Sequence, residues 1–186
     1  MRKVTYGGAV SLDGFLAGMD GSMDWLHFSK DVQEIMTNYW KGLDTILMGR
    51  KTYAFAAAQA ASTGENPKKQ TRRREQAIRT YIFSHTLKAI DQPGVHLVAG
   101  DAIQFVRNLK RGPGGGICLM GGGELAQSLL AADLVDEIGL NIHPILLGAG
   151  IPAFRDPGQR VKLKLTHSRT LEGGCVLAEY TVCHGK

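Results

Sequence analysis

The chain has 186 residues, 44% hydrophobic and 21% charged, with 24 Gly and 6 Pro, an ordinary globular composition that predicts one domain over residues 1–186 and leaves little room for two. The formal charge of +5 favours anionic ligands but is mild beside dedicated nucleic-acid binders. Cys118, Cys175 and Cys183 are an odd, widely spaced set that suggests neither a disulfide framework nor a structural zinc site, and no apolar run approaches the roughly 20 residues of a membrane span.

Val4 to Val10 is β-branched and small and predicts a strand, followed by a long loop through Ser11-Leu12-Asp13-Gly14-Phe15-Leu16-Ala17-Gly18. Val32, Ile35, Met36, Tyr39 and Trp40 recur at helical spacing between a Ser29 cap and Gly42. Asp44 to Met48 is a short apolar strand, and Gly49-Arg50-Lys51-Thr52 opens an alanine-rich helix from Tyr53 to Ala61. An exposed loop is expected from Ser62 to Lys69, followed by a basic segment. Lys68, Lys69, Arg72, Arg73 and Arg74 there outnumber Glu65 and Glu75 and hold three of the five net charges.

Two more strands, Tyr81 to Ser84 and Val95 to Val98, precede a helix that Asp101 caps and that carries Ile103, Phe105, Val106 and Leu109. After a Gly-Pro-Gly-Gly-Gly turn, Ile117 to Met120 is a buried-type strand, Gly121-Gly122-Gly123 follows it, and Glu124 to Leu134 is a helix. Glu137 to His143 is another strand, ending at Pro144 and the loop from Leu147 to Pro152. Val161, Leu163 and Leu165, then Val176, Ala178, Tyr180 and Val182, alternate with polar residues around Glu172-Gly173-Gly174, a hairpin signature. Helices between strands force parallel pairing. The expected architecture is therefore α/β: three layers, a mixed, mostly parallel sheet between helices, and a C-terminal antiparallel hairpin.

Ligands in such sheets sit beyond the carboxyl ends of the strands. Three segments meet that rule. Met120 ends a strand before Gly121-Gly122-Gly123-Glu124, where glycines let backbone N–H groups approach a pyrophosphate at a helix start, although a tight turn uses the same residues. Gly49-Arg50-Lys51-Thr52 adds guanidinium, ammonium and hydroxyl donors suited to phosphate oxygens. Ser84-His85 follows a third strand and is either a plain cap or a contact to an adenosine ribose or its phosphate. Together they suggest a dinucleotide. Asp13, in the first loop, and Asp31, near the first helix start, are the candidate catalytic acids. A carboxylic acid beside a reducible C=N bond protonates nitrogen if burial raises its pKa. For Asp13 the alternative is a turn residue, and for Asp31 a residue that simply favours a helix start. No metal is expected.

Ser11-Leu12-Asp13-Gly14-Phe15, Gly21-Ser22-Met23-Asp24-Trp25-Leu26, Gly49-Arg50-Lys51-Thr52-Tyr53, Gly121-Gly122-Gly123-Glu124-Leu125 and His143-Pro144 through Gly150-Ile151-Pro152 together resemble the dihydrofolate reductase-like superfamily. The resemblance is greatest to its branch related to the reductase domain of bifunctional riboflavin biosynthesis proteins. It implies NADPH as hydride donor and a homodimer. It further implies that Ala9, Leu16 and Ala17 border the nicotinamide, that Arg50, Lys51 and Thr52 face phosphates, that Ser84 and His85 lie near the adenosine end, and that Gly121, Gly122, Gly123, Glu124 and Leu125 hold the pyrophosphate. Folate-reducing relatives usually join Trp to Pro in the early loop, whereas Trp25 is followed here by Leu26-His27-Phe28. The resemblance therefore points to a cytoplasmic NADPH-dependent reductase of a small heterocyclic or ribosylamino substrate, as in 5-amino-6-(5-phosphoribosylamino)uracil reduction. Dihydrofolate reduction, a non-catalytic nucleotide-binding pocket and nucleic-acid binding through residues 68–74 are the alternatives.

Overall fold

A computed structural model describes residues 1–62, 78–121, 123–156 and 158–185. The expected loop beyond Ser62, the basic segment 68–74 and Gly122 lie outside the described residues.

The first strand, β1 (Val4–Ser11), turns at Asp13-Gly14 into a short β2 (Phe15–Ala17). Helix α1 (Lys30–Lys41) starts after Ser29 and stops at Gly42, and β3 (Leu43–Gly49) runs directly into α2 (Arg50–Ser62). Then come β4 (Arg79–Phe83), β5 (Val95–Val98) and α3 (Ala102–Arg111). The Asp101 carboxylate accepts from the amides of Ile103 and Gln104, as its position before the helix predicts. After β6 (Gly116–Met120), α4 (Glu124–Ala131) leads to β7 (Glu137–His143). The chain closes with β8 (Ile151–Pro152), β9 (Lys162–Thr170) and β10 (Val176–Cys183).

Eight strands form one sheet in the order β5-β4-β3-β6-β1-β7-β10-β9, and β2 pairs separately with β8. Pairing is parallel from β5 to β7 and antiparallel at β7–β10 and β10–β9, which is the mixed sheet with a terminal hairpin that the pattern predicts. Val4, Tyr6, Leu47, Ile117, Leu119 and Ile138 bury one face against Val106 of α3 and Ala126, Leu129 and Leu130 of α4. On the other face Val32 of α1 packs with Cys175, Leu171 and Leu177. Burying five such large side chains contributes on the order of 10 kcal/mol at about 2 kcal/mol each.

Two ion pairs fix the opposite end of the sheet. Lys110, buried, donates to Asp136 at 2.5 Å and to the Leu134 carbonyl at 3.0 Å, and the buried Arg2 guanidinium pairs with Asp44 and donates to Thr45 Oγ1 at 2.7 Å.

Three expectations are corrected. The first loop and the loop after His143 contain the β2–β8 ribbon, because Phe15 pairs with Pro152 and Ala17 with Ile151. Helix α4 stops at Ala131 instead of Leu134: Asp133 takes φ 55° and turns the chain so that the Leu134 amide reaches the Leu129 carbonyl at 2.9 Å. Ser29 occupies the cap position of α1 without bonding its amides, since its hydroxyl donates to Asp31. The hairpin expected at the C-terminus is present, and every residue of its edge strand β9 is exposed. Among the described residues no helix is long and apolar enough to cross a membrane, and no three His, Cys, Asp or Glu side chains group to hold a metal ion.

Candidate functional site

Strands β4, β3, β6, β1 and β7 are neighbours and parallel, so the segments that leave their carboxyl ends lie side by side along one edge of the sheet. In that order they are Ser84-His85, Arg50–Thr52, Gly121–Leu125, Leu12–Gly14 and Pro144–Gly150.

The two expected phosphate segments touch. Gly121 has φ +81°, and a Cβ there would stand 2.2 Å from Thr52 Oγ1 and 2.8 Å from Thr52 Cγ2. The start of α2 and the turn before α4 therefore meet without side-chain bulk between them, a close approach only glycine allows. Gly123, also left-handed at φ +88°, precedes α4 with no side-chain cap, which leaves first-turn amides of that helix unclaimed by any side chain among the described residues. The Arg155 Nε lies 3.9 Å from where a Gly123 Cβ would be. Arg50 and Lys51 are exposed at the first turn of α2. Cations at two helix starts that meet through Gly121 and Thr52 fit a ligand carrying several phosphates, so these residues suit the dinucleotide implied by the sequence. Ser84 is different: its hydroxyl accepts from the amides of Thr86 and Leu87 at 3.2 and 3.1 Å, the cap alternative, while His85 is exposed beside it.

The Asp13 carboxylate accepts from Ser11 Oγ at 2.6 Å and from the amides of Leu147 and Gly148 at 3.2 and 2.8 Å. It therefore ties the β1–β2 turn to the loop after β7. Asp31 accepts from Ser29 Oγ, from its neighbour Val32 at 2.8 Å and from the Glu172 amide at 3.0 Å, with Arg169 Nη2 at 3.9 Å. It joins α1 to the β9–β10 connection. The Ser11 hydroxyl first, then the two amides, lowers the Asp13 pKa, and the Ser29 hydroxyl followed by the Glu172 amide does the same for Asp31. A protonating role needs the opposite shift; in this structure both carboxylates accept hydrogen bonds that tie loops together.

Between those two carboxylates lies a polar cluster. His143, 2% exposed, has Cys175 Sγ at 3.4 Å and the His27 amide at 3.5 Å from Nδ1, and Asn141 Nδ2 at 3.2 Å from Nε2. Trp25 stacks edge-on against it with ring centroids 5.3 Å apart. Burial foremost, and the nearby His27 second, hold the His143 pKa below its usual value. A Cβ on Gly173, whose φ is +79°, would strike the His27 ring at 2.6 Å, so the β9–β10 connection closes over this cluster.

Ala9 lies in β1 opposite Asn141 of β7, and the Leu16 side chain comes 3.9 Å from where a Cβ on neighbouring Gly8 would be. Ala17 is buried within the β2–β8 ribbon, paired with Ile151. The sequence reading passed over Arg155 and Asn141. No local signal marks Arg155, since its place over α4 arises from the chain's return through β8. Asn141 carried one: it is a polar residue on the face opposite Ile138, Leu140 and Ile142 in a strand paired on both sides.

Residues 2–177 match the family model described as RibD C-terminal domain. The uncharacterized protein YyaP of Bacillus subtilis is 35% identical over 181 residues, 96% of this chain and 94% of that one. Among solved structures, a putative riboflavin biosynthesis protein from Shewanella sp. PV-4 superposes with a TM-score of 0.79 at 24% identity, covering 99% of this chain and 100% of the other. The Thermotoga maritima diaminohydroxyphosphoribosylaminopyrimidine deaminase/5-amino-6-(5-phosphoribosylamino)uracil reductase gives 0.69 at 18% identity, over 98% of this chain and 57% of that protein. Dihydrofolate reductase from Enterococcus faecalis, complexed with NADP(H), gives 0.62 at 12% identity over 97% and 96% of the two chains. At these identities the structures share the fold, which is dihydrofolate reductase-like.

Proposed function

The chain belongs to the RibD C-terminal domain family, a family of riboflavin-pathway reductases, and on that premise we propose that it is an NADPH-dependent oxidoreductase. Its substrate is a small heterocyclic or ribosylamino compound, and its activity is akin to 5-amino-6-(5-phosphoribosylamino)uracil reduction. The observation that carries this reading is the contact between Thr52 and Gly121, which joins two helix starts into one anion-binding surface.

When bound, NADPH supplies a hydride for an electrophilic carbon of the substrate. Arg50, Lys51 and Arg155 neutralise its phosphates, and Thr52 with the backbone amides of Gly121 to Leu125 hydrogen-bonds them. Met120 and Gly49 end the strands that carry these groups. His85 meets the adenosine end, where the Ser84 hydroxyl fixes the turn. Ala9, Leu16 and Ala17 border the nicotinamide and keep water from it. Asp13 and Asp31 hold the loops on either side of the substrate. The working form is a single-domain chain paired as a homodimer in the cytoplasm.

Titration with NADPH and NADH, followed by nicotinamide fluorescence and thermal stability, tests the reading. A ligand that binds only the native state stabilises it by about 2.7 kcal/mol at a hundredfold excess over its Kd. NADPH-selective binding, weakened about tenfold by Arg50→Ala or Arg155→Ala, is the expected result. No binding of either nucleotide refutes the cofactor assignment.

A further inference from the structure

Strand β9 closes one side of the eight-stranded sheet and pairs only with β10. In an antiparallel pair about half of the backbone N–H and C=O groups of an edge strand point away from its neighbour, and all nine residues of β9 are exposed. The register with β10 assigns its side chains to two faces. Lys162, Lys164, His167 and Arg169 stand opposite Cys183, Thr181, Glu179 and Leu177, on one face. Leu163 and Leu165 stand opposite Val182 and Tyr180, on the face that packs into the core. They carry that apolar face one strand beyond its last buried residues and are 42% and 52% exposed.

The register shift between Glu179 and Tyr180 leaves Thr166 as an extra residue, and its hydroxyl donates to the Glu179 carbonyl at 2.9 Å. This bulge bends the strand there, so Lys162 to Leu165 is a regular stretch of Lys-Leu-Lys-Leu. Arg169 has Asp31 at 3.9 Å, whereas neither Lys162 nor Lys164 has an ion-pair partner among the described residues.

The charges decide what can add to this edge. Side chains directly opposite across a strand pair share a face, and like charges there are destabilising. Antiparallel pairing of β9 with β9 of a second copy sets cations against cations, which leaves the proposed homodimer to another surface. A single-stranded nucleic acid would use the lysines but neither the backbone groups nor the leucines. We propose that Lys162 to Leu165 is a docking edge for an extended segment of another protein, with Asp or Glu at alternate positions and apolar residues between them. The segment adds a ninth strand to the sheet. Its carboxylates meet Lys162 and Lys164, and its apolar side chains cover Leu163 and Leu165. Lysines on an edge strand guard it against indiscriminate pairing, and here the same two charges select the strand that is admitted. The inference does not depend on the reductase reading.

Fluorescence anisotropy of labelled acetyl-Glu-Val-Glu-Val-Glu-Val-amide tests it, beside the same peptide with Lys for Glu and a form whose two central residues are proline, which cannot complete a ladder. The Glu peptide should bind at least tenfold more tightly than either control. Lys162→Glu with Lys164→Glu should reverse the preference in favour of the Lys peptide. Leu163→Ser with Leu165→Ser should weaken the Glu peptide about tenfold. Thermal unfolding and NADPH affinity should stay at wild-type values, because all four side chains are exposed and far along the sheet from α2 and α4. No binding of the Glu peptide to the wild-type protein overturns the proposal and leaves the lysines as guards of the edge. So does a preference unchanged by the lysine pair, or binding that neither proline nor the leucine pair weakens. Tighter binding of a short oligothymidylate assigns the lysines to nucleic acid, and a dimer in sedimentation that the leucine pair dissolves assigns the edge to a second copy; either result overturns it. The lysine pair alone decides the matter if the leucine pair does not fold.

Discussion

Replacing Gly121 by alanine tests the junction on which the proposed function depends. The added methyl meets Thr52 Oγ1 at 2.2 Å, Cγ2 at 2.8 Å and Cβ at 3.0 Å, and the residue must hold φ +81°. A left-handed non-glycine residue costs about 1–2 kcal/mol, and overpacking a tight contact about 1–3 kcal/mol. The sum is about 2–5 kcal/mol, with a fall in Tm of roughly 2–4 °C for each kcal/mol in a chain of this size. Thr52→Ala removes the two nearer atoms but not the backbone strain, so in the double variant about 1–2 kcal/mol should return as a coupling energy. Urea denaturation of the four proteins measures that term, and NADPH titration of the same set should show at least a tenfold loss for Gly121→Ala. Additive stabilities together with an unchanged NADPH affinity would refute both the contact and its role.

Asp136→Asn leaves the buried Lys110 ammonium without its carboxylate. With Asp136 a quarter exposed, the loss in urea denaturation should be about 2–3 kcal/mol, below the full cost of breaking a buried pair; a loss under about 0.5 kcal/mol contradicts the assignment. His143 has a folded-state pKa depressed by burial, so the unfolded chain binds the proton more readily. Stability should be level above the ordinary value of 6.5 and fall as pH drops below it, and His143→Gln should flatten that dependence. Asp13→Asn replaces the charged acceptor for Gly148 and Leu147. Turnover on a reducible substrate should fall about ten- to hundredfold through misplacement of the loop while NADPH affinity holds; unchanged turnover removes Asp13 from the site.

Elements whose signal is local were legible in the chain. Asp101 caps α3 as predicted because the cap and the amides it satisfies lie within three residues. The β2–β8 ribbon was not legible, because Phe15 finds Pro152 across a separation that no window of periodicity spans. The same limit separates Gly123 from Arg155 and Gly121 from Thr52. The glycine turn and the cation-rich start of α2 could each be read from sequence, but their contact, and the guanidinium over α4, are products of the sheet order. For Asp13 and Asp31 the residue type was informative and the chemistry was not: a carboxylate's protonation depends on its partners, and the Leu147, Gly148 and Glu172 amides that decide it are more than 130 residues away in the chain.

The antiparallel strand β10 explains why the site ends where it does. From β4 to β7 each parallel strand delivers a loop or a helix start to the same edge, and this repetition builds a row of amide and cationic groups suited to an extended dinucleotide. At β10 the polarity reverses, so no further helix start can be added. The edge beyond β7 is closed instead by a tight connection, Leu171 to Cys175, whose Leu171 amide donates back to the Cys175 carbonyl at 2.8 Å. That connection brings Cys175 to His143 and the Glu172 amide to Asp31. The change of strand direction therefore ends the row of helix starts, and its place is taken by a largely uncharged cluster in which Asn141 and Trp25 lean on the buried His143.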